Sequence, residues 1–383
     1  MLDVKKILSR AWHILWNYRM LWVFGFILAL TVAGSSGGNG GGSSSNRYNN
    51  NNNNNPGNNQ PFEKVLPGFS WHDPLGNTPR EKVADVLSQF GTAFEKLREQ
   101  YPVQFQMVIA VAIVGLIMIL VFSFIGAILR YVAETATIRM VNEYEQSGVK
   151  VGFWQGWKYG WSRASWRLFL INFLVHIPSM LLLGILILIG WWIASAALSG
   201  VQATLITSLI AGIGLAVISI LVTVVLMIVL YLIRDFAWRI SILEDAGVMQ
   251  SLSQAASLLR RNWKNAGLMW LVMIGIKIAM ALVFFLLIIP LLGVSVITAV
   301  GGLIVVLVPS LLTAGIASLL SAPDFWPWVF AALIGLPFFA TVALSPVLLV
   351  RGWGLTYESS IWTLTYRELK ALETVTPAVV DAA

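Results

Sequence analysis

Cysteine is missing from all 383 residues, which excludes disulfides, thiolate metal ligands and thiol nucleophiles. Charge is scarce as well. Asp, Glu, Lys and Arg together make up 11% of the chain, where about 25% is ordinary for a soluble domain. The three histidines, His13, His72 and His176, fall in separate segments without ligand-like spacing. No HExxH pair, nucleophile elbow or phosphate-binding loop accompanies them. Every acidic residue lies outside the apolar runs, which argues against intramembrane aspartyl or metallo hydrolysis and against a carboxylate proton relay. The residues thus offer no catalytic set, no metal site and no cofactor site, and the expectation is a non-enzymatic chain.

What the sequence has in excess is apolar surface, 57% of its residues against a usual ~45–50%. A bilayer core of ~30 Å is crossed by about 20 apolar residues in a helix. Six stretches qualify or nearly do: Met20–Ala33, Val103–Leu129, Leu168–Ala197, Thr204–Ile233, Ala266–Ile289 and Trp326–Val350. The first is short, and its rival is a cleaved signal peptide, because Ala33, Gly34 and Ser35 follow it. A further apolar stretch, 291–322, is bounded by Pro290 and interrupted by Pro309. Proline breaks helices, so 290–325 is expected to be external or re-entrant, with one additional span as the alternative. The fold expected is all-α, a polytopic transmembrane helix bundle.

Charge orients the bundle. With the N-terminus cytoplasmic, the segments 1–19, 130–167, 234–265 and 351–383 carry 18 basic and 11 acidic residues, while 34–102 and 290–325 carry 6 and 7. That asymmetry satisfies the positive-inside rule. Six spans keep Arg351, Arg367 and Lys370 inside; a seventh would export them. The net charge of +7 therefore calls for no nucleic acid, and membrane lipids are the expected partners. The location expected is the plasma or inner membrane, multi-pass, with both termini cytoplasmic.

Two features interrupt the first external loop. Residues 34–60, rich in Gly and Ser and including seven consecutive asparagines at Asn49–Asn55, cannot bury enough apolar surface to offset their ordering entropy and are expected to be disordered. Residues 78–101 place Val83, Val86, Leu87, Phe90, Phe94 and Leu97 at helical spacing behind Thr78, Pro79 and Glu81, the composition of a capped amphipathic helix.

The chain also repeats itself. Apolar or small residues recur at identical offsets in three segments: Val4, Ile7, Leu8, Ala11, Trp12, Leu15; Val149, Gly152, Phe153, Gly156, Trp157, Gly160; and Val248, Ser251, Leu252, Ala255, Ala256, Leu259. That spacing is one face of an α-helix. Each segment leads into an apolar run, and the outgoing runs end at Arg130, Arg234 and Arg351, each followed three residues later by Ala133, Ala237 or Gly354. The expectation is three parallel two-span repeats, about 4–139, 149–243 and 248–367, each opened by a cytoplasmic amphipathic helix. Membership of the first repeat argues that the first span is retained.

Candidate site residues follow from this layout. Gly152, Gly156 and Gly160 form a small-residue stripe through which a helix can dock closely on the bundle. Trp157 and Trp161 flank it, as suits rings wedged at a membrane interface. Lys158 and Arg163 are placed to meet anionic lipid phosphates or a protein partner. Lys277 stands in the middle of an apolar run, where it either snorkels or marks a cavity for an anionic or lipid substrate. Asn172 and His176, four apart on one helical face, either bond neighbouring helices or line that same cavity.

The tryptophan-rich short helix, the Asn17-Tyr18-Arg19 approach to a span, the glycine-rich outer loop and the arginines after the spans resemble a broad prokaryotic family. It includes the membrane domain attached to some glycerophosphoryl diester phosphodiesterases and free-standing multi-pass proteins. The likeness implies a helical membrane domain. It implies no phosphodiesterase activity, because no soluble segment is long enough to hold the catalytic barrel. Three two-span units with inner helices are also a feature of mitochondrial carriers, but the Pro-x-acid-x-x-basic signature of those carriers is absent.

Overall fold

The computed structural model describes residues 2–35, 88, 91–92, 95–96, 98–198, 202–319 and 325–380. Nearly all of the low-complexity loop, and the apolar positions of the helix expected at 78–101, lie outside the described residues. The described positions between 88 and 100 are helical and exposed. Ten helices have both ends described: α1 (Val4–Asn17), α2 (Met20–Ser35), α3 (Pro102–Ser147), α4 (Phe153–Gly160), α5 (Arg163–Leu198), α6 (Gln202–Leu243), α7 (Val248–Arg261), α8 (Trp263–Leu319), α9 (Trp326–Ala343) and α10 (Ser345–Val380). The described residues contain no strand.

Five of these helices are long and apolar enough to cross a membrane, and a sixth crossing exists if α1 and α2, bent by 98° at their junction, count as one. The chain is thus a multi-pass membrane protein by length and composition. The most apolar windows of α3 and α6 bury none of their residues. Large side chains such as Leu120, Phe124, Ile210 and Leu221 are exposed along them, which in water would be untenable and in lipid is expected.

Contacts divide the chain into two units. One comprises Met1–Ser36, Ile113–Leu182 and Leu221–Ala383; the other comprises Gly37–Ala112 and Leu183–Ile220. Within the second unit, α5 and α6 meet where Gly212 lies against Ile189 and Ile193, so close that a methyl group on Gly212 would come within 2.8 Å of Ile193.

The core of the first unit is set by helices that outrun their apolar stretches. α3, α6 and α10 continue beyond Arg130, Arg234 and Arg351 as helix, and their extensions are the most buried parts of the unit: Ala133, Ala136, Ile138, Met140 and Val141; Phe236, Ala237 and Ile240; Ile361, Leu364 and Leu369. The three extensions run parallel. Glu134 and Asn142 on α3 meet Ser359 and Arg367 on α10, a constant separation of 225 residues. On α6 Arg239 contacts Ser359, and just past its end Glu244 accepts from Tyr366, separations of 120 and 122 residues.

The helices that approach the apolar segments run antiparallel to these. α2 crosses α10 at a glycine pair: a Cβ on Gly352 would sit 2.5 Å from the carbonyl carbon of Gly25 and 2.8 Å from the amide nitrogen of Phe26. Ser165 on α5 donates to Thr135 of α3 at 3.1 Å. α8 meets α10 through Lys277 and Glu358.

The short helices lie against this core. α1 buries Ile7, Ala11, Ile14 and Leu15 and exposes Lys5, Lys6, Arg10, Trp12, His13 and Trp16. α7 buries Ser251, Ala255 and Leu258. α4, only eight residues long, buries Gly156 and Gly160. Each ends at one or two non-helical residues before the long helix: Tyr18, Trp161 and Asn262 hold the C-cap positions. The Tyr18 hydroxyl donates to the Val151 carbonyl at 2.8 Å, tying the α1–α2 corner to the start of α4.

Two expectations need correction. Pro290 and Pro309 do not interrupt their stretch: α8 is continuous over 57 residues with both prolines inside it. The Thr313 hydroxyl donates to the Pro309 carbonyl at 2.6 Å, and in an apolar segment no alternative partner for the backbone is available outside the helix. At 1.5 Å per residue such a helix is about 85 Å long, well over an ~30 Å bilayer core. α9 folds back along its second half, with Thr298 donating to the Ala343 carbonyl at 2.8 Å and Gly302 packed on Phe339. The stretch expected as one span over Trp326–Val350 is divided at Leu344, which caps α9.

The Gly25–Gly352 crossing gives a first test. Gly352→Leu forces two backbones apart and should destabilise the folded chain by about 1–3 kcal/mol. Thermal unfolding in detergent should show a lowered midpoint; an unchanged midpoint would mean that the helices do not approach at this point.

Candidate functional site

Where α3, α6 and α10 leave their apolar stretches, they bring charged side chains to one place. α3 contributes Arg130 and Glu134, one helical turn apart. α6 contributes Arg234, Asp235 and Arg239. α10 contributes Glu358 and Ser359. Helical spacing puts Arg130 and Glu134 on one side of α3, and Asp235 and Arg239 on one side of α6. These residues, with Tyr131, Trp238, Trp362 and Leu355, and with Leu28 and Val32 from α2, line a cavity of ≈ 120 Å³.

Arg239 is the centre of the arrangement. Its side chain is 2% exposed. One terminal nitrogen donates to the Asp235 carbonyl at 2.6 Å, the other to the Ser359 carbonyl at 3.4 Å. The latter nitrogen lies 3.9 Å from the Glu134 carboxylate, which itself accepts from the Ser359 hydroxyl at 2.8 Å. The Arg239 Nε and the Trp238 indole nitrogen are both buried and without a partner among the described residues.

Arg234 is held differently. It forms two hydrogen bonds to Asp235, at 3.0 and 3.2 Å, and its guanidinium lies over the rings of Tyr231 and Trp238, 4.7 and 4.9 Å from their centres. Such stacking suits the planar guanidinium. Glu358 is taken by Lys277 at 2.7 Å. Arg130 makes no hydrogen bond or ion pair within the described residues.

Beyond the cavity a second polar lock joins α10 to the end of α6. Glu244 accepts from Tyr366 and from Lys370. Burial favours its protonated form, but the two donors outweigh it and hold the carboxyl below its ordinary range. Burial and the neighbouring carboxylate push the Tyr366 phenol far above its ordinary value.

The residues singled out in the sequence are dispersed. Arg130 and Arg234 line the cavity, whereas Arg351 is exposed and is not among its lining residues. Lys277 is 61% exposed and meets Glu358; no described contact joins it to Asn172 or His176. His176 Nδ1 donates to the Asn172 carbonyl at 2.7 Å, and the Asn172 Oδ1 is buried without a partner among the described residues. Gly156 packs on Met140 and Phe24, and Gly160 lies against the Val132 carbonyl; Gly152 is exposed with nothing near it. Lys158 and Arg163 are exposed. No cluster of His, Asp and Glu suited to a metal ion occurs among the described residues.

The sequence carried only part of the site. Arg239 and Glu134 were not singled out, although each falls within ten residues of an arginine that was. For Arg239 the one available signal is its place in the segment otherwise occupied by the buried Phe236, Ala237 and Ile240.

Residues 8–366 match DUF7544, a family of unknown function. The chain belongs to the DUF7544 family. No curated protein and no solved structure matched this DUF7544 member. The match takes in α2, α3, α6 and the part of α10 that supplies Glu358 and Ser359, so the whole lining of the cavity belongs to the family-matched region.

Two measurements bear on these contacts. Glu134→Ala removes the α3 carboxylate 3.9 Å from the buried Arg239, which keeps Asp235 beside it; the loss should therefore fall below the about 3–5 kcal/mol of a fully broken buried pair, as chemical or thermal unfolding in detergent would show, and a neutral result would separate the two groups. For Glu244 the folded carboxyl titrates below the unfolded one. Its stabilisation is therefore complete above the ordinary carboxylate range and disappears as pH falls through the depressed value. Glu244→Gln should flatten that part of the acid limb of a stability–pH profile, and an unaltered limb would remove Glu244 as its source.

Proposed function

We propose that this DUF7544 protein is a non-enzymatic integral membrane protein of three parallel helix–span–span units whose short helices engage lipid at one leaflet, the cytoplasmic one by charge. The observation that carries the proposal is the 98° bend between α1 and α2. If α2 crosses the membrane, α1 lies in the plane of its surface. There it exposes Trp12 and Trp16 together with Lys5, an aromatic face with one cation unpaired among the described residues, suited to anionic headgroups, while Lys6 and Arg10 pair with Glu368 and Glu145.

The other short helices support the same reading. Trp154 is 76% exposed beside Lys158, and Trp263 is 65% exposed after Arg260 and Arg261. Triplication is supported by three short helices that each precede a long one. The corresponding small residues Ala11, Gly156 and Ala255 are all buried, and the three outgoing extensions run parallel. The likeness to the membrane domain of glycerophosphoryl diester phosphodiesterases is in keeping with a module that works on lipid surfaces, without the catalytic activity. The competing expectation, a transport pathway through Lys277, gains nothing from an exposed lysine that already pairs with Glu358.

Because the chain has no cysteine, a single label can be placed without background. Trp154→Cys carrying a spin label, in nanodiscs with anionic lipid, should be relaxed by oxygen far more than by a polar nickel chelate, as at the headgroup–acyl boundary. Predominant access by the nickel chelate would place α4 in water and end the proposal.

A further inference from the structure

The cavity at the meeting of α3, α6 and α10 has the chemistry of an anion site. Three guanidiniums line it, Arg130, Arg234 and Arg239, against three carboxylates, Glu134, Asp235 and Glu358. The carboxylates are all engaged. Glu134 accepts from Ser359 and faces Arg239, Asp235 holds Arg234, and Glu358 is neutralised by Lys277. Counting Lys277, four cations meet three anions, and Arg130 is the cation left over.

Two further donors are committed to nothing. The Arg239 Nε and the Trp238 indole N–H are buried, lack a partner among the described residues, and belong to side chains that line the cavity. Arg239 is 2% exposed and Trp238 6%. Donors of this kind are costly to bury unless an acceptor meets them. Water could serve, but the surplus positive charge favours an acceptor that is itself negative.

Size narrows the class. A volume of ≈ 120 Å³ is well below the ≈ 300–1,000 Å³ of pockets for drug-sized solutes. That space suits a compact oxyanion. One wall, Leu28 and Val32 of α2, is apolar, so an anion that carries a hydrocarbon chain can continue along it.

We propose that this cavity binds a phosphate group, with Arg130, Arg239 and the Trp238 indole N–H as its donors and Arg234 held in place beside them by Asp235. The phosphate is either the headgroup of an anionic lipid or the free ion. The site goes beyond the interfacial role of the short helices and is tested in detergent, where no leaflet is present, so its failure leaves that role untouched and the converse also holds.

The full-length chain is purified in neutral detergent and its thermal unfolding followed by intrinsic fluorescence against three probes: dioctanoyl phosphatidic acid, inorganic phosphate and dioctanoylglycerol. A saturable rise in midpoint with phosphatidic acid alone identifies a lipid headgroup. An equal rise with inorganic phosphate identifies the free ion. Both outcomes uphold the site. Arg130→Gln removes a charged donor that makes no hydrogen bond or ion pair among the described residues, and should raise the half-saturating concentration at least about tenfold. Trp238→Phe keeps the ring and removes one neutral donor, and should raise it about two- to tenfold. Should Arg130→Gln not fold, Trp238→Phe carries the test alone. The proposal is overturned if neither anion shifts the midpoint more than dioctanoylglycerol does, or if the folded variants titrate like the parent chain.

Discussion

Arg239 is the point on which the charged end of the bundle turns. A guanidinium moved from water into a protein interior loses several kcal/mol of solvation, and only good geometry returns it. Here the return comes from three helices at once: a carbonyl from its own helix, a carbonyl from α10 and a carboxylate from α3. None of these suffices alone. The parallel packing of α3, α6 and α10 is therefore both the cause and the condition of the buried charge, because sliding any one helix by a turn would strand it. A shift of that kind is also opposed from outside the cavity by Arg367 on Asn142, at 2.7 Å, and by Tyr366 and Lys370 on Glu244.

Much of the architecture could be read from residue spacing, for reasons that are local. Of the face expected in α1, Ile7, Ala11 and Leu15 are buried and Trp12 is exposed; in α7, Ser251 and Ala255 are buried, but Leu258, outside the expected offsets, is buried more deeply than Leu259. In α4 the pattern overreaches, since the helix begins at Phe153 and not at Val149. The proline rule failed in α8 because it describes helices that can exchange a lost backbone bond for water. In a run as apolar as 263–319, leaving the helix would expose several more unsatisfied groups than Pro290 and Pro309 create.

What could not be read is pairing over distance. Lys277 looked isolated because its partner, Glu358, lies 81 positions further on. Arg239 looked like one of several basic residues after a span, and nothing within its own helix says that α3 will present a carboxylate to it. Gly152, Gly156 and Gly160 illustrate the same boundary. Their four-residue spacing is visible, but Gly152 falls just before the first turn of α4 and faces nothing, while the other two press on Met140 and on the backbone of Val132. Spacing identifies a face; only the partner decides how much of it is used.

The contact between Gly25 and Gly352 joins helices at positions 327 apart in sequence. A ribosome adds roughly 5–20 residues per second, so α2 is made tens of seconds before the surface it is shaped to fit. During that interval its glycine notch must stay open among lipid tails. The polar cavity cannot close either, since its α10 wall emerges after the rest of its lining. Insertion of the early spans and completion of the fold are therefore separate events in time, and whatever shields the half-built arginine cluster in between acts on a protein that already sits in the membrane.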